Sequence, residues 1–247
     1  MNKERKSVES VGSKRPELSL VIPCYNEEDV IRNAAVRLVQ SFREMGVDSE
    51  FVLVDNGSVD NTGKIIDDLI GEGLPIVKIK VEVNQGYGYG VLQGLQASRG
   101  DMIGFTCADE QVEAQDVAKT YRIAAEAKGP KLVKVRRRFR IDGLFRRIVS
   151  ITYNFVTIIM FGGLGSIDIN GNPKILPREY LERMNLQSKD WFLDAEVLIK
   201  AKKLGLKVHE FNVMAQMRGG GTSHVRFSTC WEFVVNLLRY RFGGGEK

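Results

Sequence analysis

Four polar clusters carry the residue types able to do chemistry, and each follows an apolar run. "PCYNEE" (23–28) follows "LSLVI", "DNGSVDNT" (55–62) follows "EFVLV", "NQGYGYG" (84–90) follows "PIVKIKVEV", and "ADEQ" (108–111) follows "DMIGFTC". If those runs end on one side of a sheet, the carboxylates of Glu27, Asp55 and Asp109 and the amide of Gln111 are placed to converge on one polar ligand. Spacing excludes two nucleotide-binding readings. The glycine-rich "GYGYGVLQG" (86–94) does not meet G-x-G-x-x-G in any register and follows the third run instead of the first, and no G-x-x-x-x-G-K-S/T loop occurs. Cys24, Cys107 and Cys230 lack the spacing of a disulfide framework or a four-ligand zinc site, which points to a reducing compartment.

The elements that must position these clusters follow from periodicity. "LSLVIP" (18–23), "EFVLVD" (50–55), "PIVKIKVEV" (75–83) and "DMIGFTC" (101–107) read as buried strands, and "KLVKV" (131–135) as a fifth. Between the first two, from Glu27 to about Met45, Val30, Ile31, Ala34, Ala35, Leu38, Val39 and Phe42 recur at helical spacing. Further helices are expected from Asn61 and after the glycines near 86–94. Strands alternating with helices imply an α/β, mostly parallel sheet covered on both faces.

A chain of 247 residues, 43% hydrophobic and 27% charged, suits one large globular domain. Residues 1–16 are charged and polar, without the apolar core of a secretory signal, and are expected to be a disordered lead. Lysine and arginine exceed aspartate and glutamate by only 36 to 31, and no nucleic-acid partner is expected. The excess is concentrated in "KVRRRFRIDGLFRR" (134–147), which runs into the apolar "IVSITYNFVTIIMFGG" (148–163). That stretch falls short of the roughly 20 apolar residues of a membrane span. Two readings stay open for it, a helix lying at a bilayer surface and a buried helix with a solvated basic flank.

Taken in order, "LSLVIPCYNEE", "FVLVDNGSVDNT", "NQGYGYGVLQGLQASRGDMIGFTCADEQ", "FLDAEVLIKAKKLGLKVHEFNV" and "RGGGTSHV" resemble the successive blocks of family 2 glycosyltransferases, most of all the dolichyl-phosphate mannose synthase and polyprenyl-phosphate sugar transferase branch. The resemblance runs from about residue 17 to 225, giving a transferase domain over 17–225 and an amphipathic helix and tail over 226–247. It implies a GT-A (Rossmann-like) fold, with amphipathic helices in the C-terminal half, that binds a GDP- or UDP-sugar and transfers the sugar with inversion. By the same resemblance Pro23, Tyr25 and Glu27 line the base and ribose pocket and Asp55 contacts base or ribose, with Asn56 where the family has a second acid. The family's D-x-D falls on Cys107, Ala108 and Asp109, so Asp109 and Gln111 become the expected ligands of Mg2+ or Mn2+. Both are hard oxygen donors, which these ions prefer, and Cys107 is not. The diphosphate leaves readily only if its growing charge is neutralised.

For the acceptor side the resemblance points to Arg136 as a catalytic arginine facing phosphate, with Asp168 in an acceptor loop and Arg218, Gly221, Ser223 and His224 in a phosphate-binding loop. A guanidinium grips phosphate oxygens bidentately, which suits Arg136 and Arg218. Asp194 is the candidate base for a hydroxyl acceptor and otherwise holds the acceptor loop, whereas a phosphate acceptor is already ionised and needs no base. The expectation is a hexosyltransferase, with mannose the first sugar to test, acting on a polyprenyl or dolichyl phosphate. It is expected to be peripheral on the cytoplasmic face of a membrane, with the bilayer or a membrane partner subunit meeting the lipid tail. The alternatives are a transferase acting on a sugar hydroxyl in glycan synthesis and a non-catalytic nucleotide-sugar-binding subunit.

Overall fold

The computed structural model describes residues 14–138, 144–216 and 227–242. Its centre is a seven-stranded sheet made of β1 (Leu18–Cys24), β2 (Ser49–Asn56), β3 (Ile76–Val81), β4 (Met102–Phe105), β5 (Lys131–Arg138), β6 (Lys174–Pro177) and β7 (Lys207–Met214), in the order β3-β2-β1-β4-β6-β5-β7. β1 runs parallel to β2 and β4, β2 to β3, and β5 to β7, while β6 is antiparallel to both of its neighbours. The mostly parallel sheet expected from the alternation is therefore present, with one reversed strand.

Both faces of β1 are dry. Leu18, Leu20, Ile22 and Cys24 pack with Ile31, Ala35 and Phe42 of α1 (Ile31–Glu44), Ile66 and Leu69 of α2 (Thr62–Gly71), and Val117 and Tyr121 of α4 (Ala114–Ala125). Val21, with Val52, Val54, Ile103 and Phe105, turns to the other face, where Val91 of α3 (Tyr87–Ala97) and Val197 and Leu198 of α7 (Leu193–Lys203) cover it. A strand buried on both faces must be apolar without alternation, which is how "LSLVI" reads. α1 begins at Ile31, later than Glu27, because the residues between serve a loop described below.

The glycines of "GYGYGVLQG" act by packing. A Cβ on Gly94 would stand 2.3 Å from Val21 Cγ1 and 3.0 Å from Val54 Cγ2, so α3 lies on β1 and β2 at a distance only glycine permits. One on Gly88 would stand 2.4 Å from the Ser188 carbonyl oxygen and 2.6 Å from that of Asp190. The run thus seats α3 between the sheet and the 188–190 segment.

α5 (Leu144–Phe161) begins within the basic run and is buried on one side and exposed on the other. Tyr153 and Thr157 are buried, yet Ile151, Phe155 and Ile159, spaced four apart and so stacked on one face, are 59%, 63% and 64% exposed. α5 packs against α8 (Phe227–Phe242), where Tyr240 meets Phe161 edge-on and Leu238 and Phe242 are exposed. Among the described residues no helix is long and apolar enough to cross a membrane. The short α6 (Arg178–Met184) leads from β6 toward α7.

The packing account predicts opposite results for two glycines. Gly94→Ala is expected to lower the urea midpoint, at a cost of about 1–3 kcal/mol from overpacking. Gly71→Ala, at a helix end where an added Cβ meets nothing within 4 Å, is expected to be neutral or to stabilise by about 0.5 kcal/mol. Equal effects in urea titrations would count against the close seating of α3.

Candidate active site

β2 and β3 lie to one side of β1, and β4 with the second half of the sheet lies to the other. The carboxyl ends of β1 and β4 therefore flank the point where strand order reverses, and a crevice opens there. A cleft of about 210 Å³ occupies it. β1 and the loop after it supply Pro23, Cys24, Tyr25 and Glu27; β2, the segment before α3 and the first residue of α3 supply Asn56, Asn84, Gly86 and Tyr87; the segment after β4 supplies Cys107, Ala108 and Asp109; Trp191 closes it from the segment before α7.

The wall formed by residues 25–28 is fixed by the loop after β2. The Asn26 amide donates to Ser58 Oγ (3.1 Å), the Val59 amide to Asn26 Oδ1 (2.9 Å) and the Glu27 amide to Thr62 Oγ1 (2.8 Å). The Glu28 amide donates to Asp60, and the Asn61 amide and side chain donate back to Glu28. These bonds hold Tyr25 and Glu27 at the cleft and delay the start of α1.

Asp55 and its neighbour divide the work differently from the expectation. Asp55 is buried, its Oδ1 accepts the Ser58 amide at 3.0 Å, its Oδ2 lies toward Gly63 at the start of α2, and it does not line the cleft. Asn56 does. Its Nδ2 donates to the Gly86 carbonyl (3.0 Å), which fixes the orientation of the amide, and its buried Oδ1 has no partner among the described residues. An orphaned buried acceptor of this kind calls for a ligand donor or a water.

Asp109 is 7% exposed and lines the cleft, with Oδ1 accepting the Gln111 amide at 3.3 Å. Its neighbour Glu110 has φ 53° and turns away, accepting from Asn33 and Arg37 of α1. The backbone carbonyl of Gln111 accepts the Gln216 amide, and Gln111 is not among the cleft-lining residues. Asp109 therefore offers one hard oxygen donor group to a divalent ion, and the Cys107 thiol beside it offers none. Among the described residues no three His, Cys, Asp or Glu side chains gather as an ion cage.

Among the described residues, a cation that acts on this corner without lining the cleft is Arg137. Its Nε and one terminal nitrogen each donate to Asp168 at 3.0 Å, and its backbone amide adds a third bond at 3.1 Å. Burial works against its charge, but Asp168, Cys107 and Asp109 together raise its pKa. Burial likewise pushes the Asp168 pKa up, and the charge and hydrogen bonds of Arg137, followed by Lys134, overcome this and hold the carboxyl well below its usual range. Arg136 is partly exposed beside Asn212 of β7 and does not line the cleft; strand alternation sends it to the face opposite Arg137.

Asp168 is itself held from behind. Lys134 is fully buried and donates to the carbonyls of Val135 (2.9 Å) and Asp168 (2.5 Å) and to Glu210 (2.9 Å). Burial, with the nearby Lys174 charge, lowers the Lys134 pKa to about 8. Glu210 also accepts the Ser166 hydroxyl and the amides of Ile167 and Asp168.

Asp194 is 1% exposed, bonds to the fully buried Lys174 and lies outside the cleft. Lys174 also donates to Asn172 Oδ1 (3.0 Å), whose Nδ2 donates to the Tyr87 hydroxyl (3.1 Å). Glu196 accepts the amides of Gln187 and Ser188 and pairs with Lys200. Arg218, Gly221, Ser223 and His224 lie outside the described residues. Of the expected site residues, the structure thus gathers Pro23, Tyr25, Glu27 and Asp109 at the cleft. Sequence reasoning missed Asn56, Arg137, Tyr87 and Trp191 as members of it or of its charged corner.

The model of the family "Glycosyl transferase family 2" matches residues 19–184. An undecaprenyl-phosphate 4-deoxy-4-formamido-L-arabinose transferase of Pectobacterium carotovorum is 28% identical over 90% of this chain and 66% of its own length. The transferase of that name from Proteus mirabilis is 30% identical over 57% of this chain and 43% of its own. The chain thus spans less than two thirds of the length of these curated relatives. Among solved structures, glucosyl-3-phosphoglycerate synthase from Mycobacterium tuberculosis, crystallised with Mn2+, UDP-glucose and phosphoglyceric acid, superimposes with a TM-score of 0.73 at 21% identity, over 92% of this chain and 80% of that one. That likeness establishes the GT-A type of fold.

The Arg137–Asp168 pair generates a pH prediction. Because the folded-state pKa of Asp168 lies below the unfolded value near 3.9, its contribution is present above that value and is lost as pH falls toward the folded pKa. Asp168→Asn leaves Arg137 buried without its counter-charge and is expected to cost roughly 3 kcal/mol at pH 7. The gap between wild type and variant should shrink between pH 5 and 2 in denaturant titrations, and a pH-independent gap would contradict the pairing.

Proposed function

This chain belongs to glycosyl transferase family 2, and from that membership we propose that it moves a sugar, with inversion, from a nucleotide diphosphate donor to the phosphate of a polyprenyl lipid at a membrane surface. The observation that carries the proposal is the cleft at the switch point, lined by Pro23, Tyr25, Glu27, Asn56 and the carboxylate of Asp109, with Arg137 anchored by Asp168 behind it.

In this reading the nucleoside lies along Pro23, Tyr25, Glu27 and Asn56. The Asn56 Oδ1 then accepts a hydrogen bond from the base, a role that the sequence had given to Asp55. An oxygen of the lipid phosphate attacks the anomeric carbon from the face opposite the leaving group. The new carbon–oxygen bond forms as the bond to the diphosphate breaks, and the nucleoside diphosphate departs with the electron pair. A divalent cation, Mg2+ or Mn2+, supplies charge neutralisation of the diphosphate when bound. Asp109 fits such an ion as a hard donor, and the substrate oxygens and water complete the shell, since magnesium commonly relies on one or two carboxylates. Arg137, preorganised by Asp168, adds fixed positive charge where negative charge develops. We therefore assign to Arg137 the part expected of Arg136.

Two features support a phosphate acceptor on a membrane over a sugar hydroxyl. A hydroxyl needs a general base, and the acid expected for that role, Asp194, is committed to buried Lys174 and stands outside the cleft; an ionised phosphate needs none. The stacked Ile151, Phe155 and Ile159 on α5, with Leu238 and Phe242 and the exposed Arg239 and Arg241 on α8, form the mixed apolar and basic face of helices that lie on anionic bilayers. This favours a peripheral position at a cytoplasmic membrane face. For the sugar, the hexose expected from the sequence, mannose included, stands against the 4-deoxy-4-formamido-L-arabinose in the relatives' names.

Radiolabelled UDP- and GDP-sugars of both kinds, offered with undecaprenyl phosphate or with oligosaccharides, test the reading. Label is expected in the organic phase with undecaprenyl phosphate, and label that stays in water-soluble oligosaccharide overturns the lipid acceptor. Asp109→Asn and Arg137→Ala are each expected to lower kcat by roughly 10²-fold or more, and Arg136→Ala by much less. Arg136→Ala losing as much as Arg137→Ala would return the role to Arg136, and donor binding without turnover on any acceptor would favour a non-catalytic subunit.

A further inference from the structure

We propose that the stacked rings of Tyr87 and Trp191 are the sugar-binding wall of the cleft, taking the C–H face of the donor's pyranose ring. The inference rests on the nucleotide-sugar reading above and names the part of the cleft that receives the sugar.

The two rings lie 4.5 Å apart between centroids and 9° from parallel, and both line the cleft that holds Asp109. Stacking is one of the two preferred arrangements of aromatic pairs, and it leaves the outer face of each ring flat and apolar. A pyranose ring has a rim of hydroxyls and faces made of C–H groups, so it gains from burying one face on such a surface while its rim keeps its hydrogen bonds.

The wall is built in advance and from both sides. The Tyr87 hydroxyl accepts from Asn172 Nδ2 at 3.1 Å, and Asn172 is held in turn by Lys174. Beside Trp191, Asp190 accepts the Phe192 amide at 2.8 Å and the Asn236 side chain of α8 at 2.6 Å. The Tyr89 amide donates to the Lys189 carbonyl at 2.9 Å, and Gly88 allows the two backbones to meet. Side chains locked before the ligand arrives spare the ordering cost of binding.

Trp191 sets the wall apart from the nucleoside, and Tyr87, beside the Gly86 carbonyl that Asn56 holds, joins the two. Tyr25 and Asn56 come from the β1–β2 side of the switch point. The wall is tied through Asn172 and Lys174 to β6 and through Trp191 to α7, on the far side of β4. The Asp109 corner comes between these groups in the order of the sheet, as the diphosphate lies between nucleoside and sugar.

Saturation-transfer NMR and calorimetry of the intact chain with Mg2+ and UDP, GDP, UDP-glucose or GDP-mannose test this. With the nucleotide that wild type binds, the sugar C–H protons are expected to receive strong saturation. Trp191→Ala should remove it and weaken the nucleotide sugar about tenfold while leaving the nucleoside diphosphate within twofold. Trp191→Phe, which keeps a ring, should restore most of both signals. Equal loss of base and sugar signals, or of affinity for nucleotide and nucleotide sugar, makes the pair a base platform or a packing element and overturns the inference. Sugar signals unchanged in Trp191→Ala overturn it as well, with the nucleotide-sugar reading intact. Wild type that binds none of the four ligands overturns that reading and this inference together.

Discussion

A guanidinium buried beneath a cleft is the constraint around which the second half of this molecule is arranged. Arg137 is held in place because Asp168 meets it with two side-chain bonds and one from the backbone. Asp168 can be held there only because Lys134 and Glu210 fasten the 166–168 segment, and Lys134 in turn is a fully buried cation needing Glu210 and two carbonyls. Each group alone would be expensive to bury, and together they satisfy one another. The result is a fixed positive charge near Asp109, set by β5, β7 and the 166–168 segment that precedes β6. The parallel half of the sheet does the complementary work of shaping a pocket from loop backbone and small polar side chains.

This division explains why much of the fold was legible and part of the site was not. Strands buried on both faces announce themselves as unbroken apolar runs, so β1 to β5 and the helices between them follow from local pattern. β6 does not, because it is four residues long and opens with a lysine. Lys174 is tolerable in a strand interior only because Asp194 and Asn172 reach it, and those partners are set by tertiary packing that no local window contains. β7, "KVHEFNVM", alternates polar and apolar as a half-exposed strand, a weaker signal than the continuous runs before it.

At the site, composition located the clusters and register decided the members. Among three consecutive arginines the sequence offers no way to choose the inward one, and strand alternation places Arg137, with Asp168, toward Asp109. Asp55 and Asn56 present the same ambiguity one position apart, resolved by the Ser58 amide on one and the Gly86 carbonyl on the other. Asp194 was the candidate base by resemblance alone, and the buried lysine twenty residues earlier that binds it lies beyond any local window. Tyr87 carried a signal in hindsight, as an aromatic inside a glycine run whose glycines pack against the segment bearing Trp191.

The central claim is that Asp109 and Arg137 jointly meet the charge of the donor's diphosphate. A crystal structure of the chain with Mn2+ and the nucleotide diphosphate it binds measures this directly. The account predicts an ion on the Asp109 carboxylate and diphosphate oxygens within hydrogen-bonding distance of the Arg137 guanidinium, with the Asp168 pair intact. A diphosphate turned away from both side chains, or an Arg137 that leaves Asp168 for solvent, would contradict it.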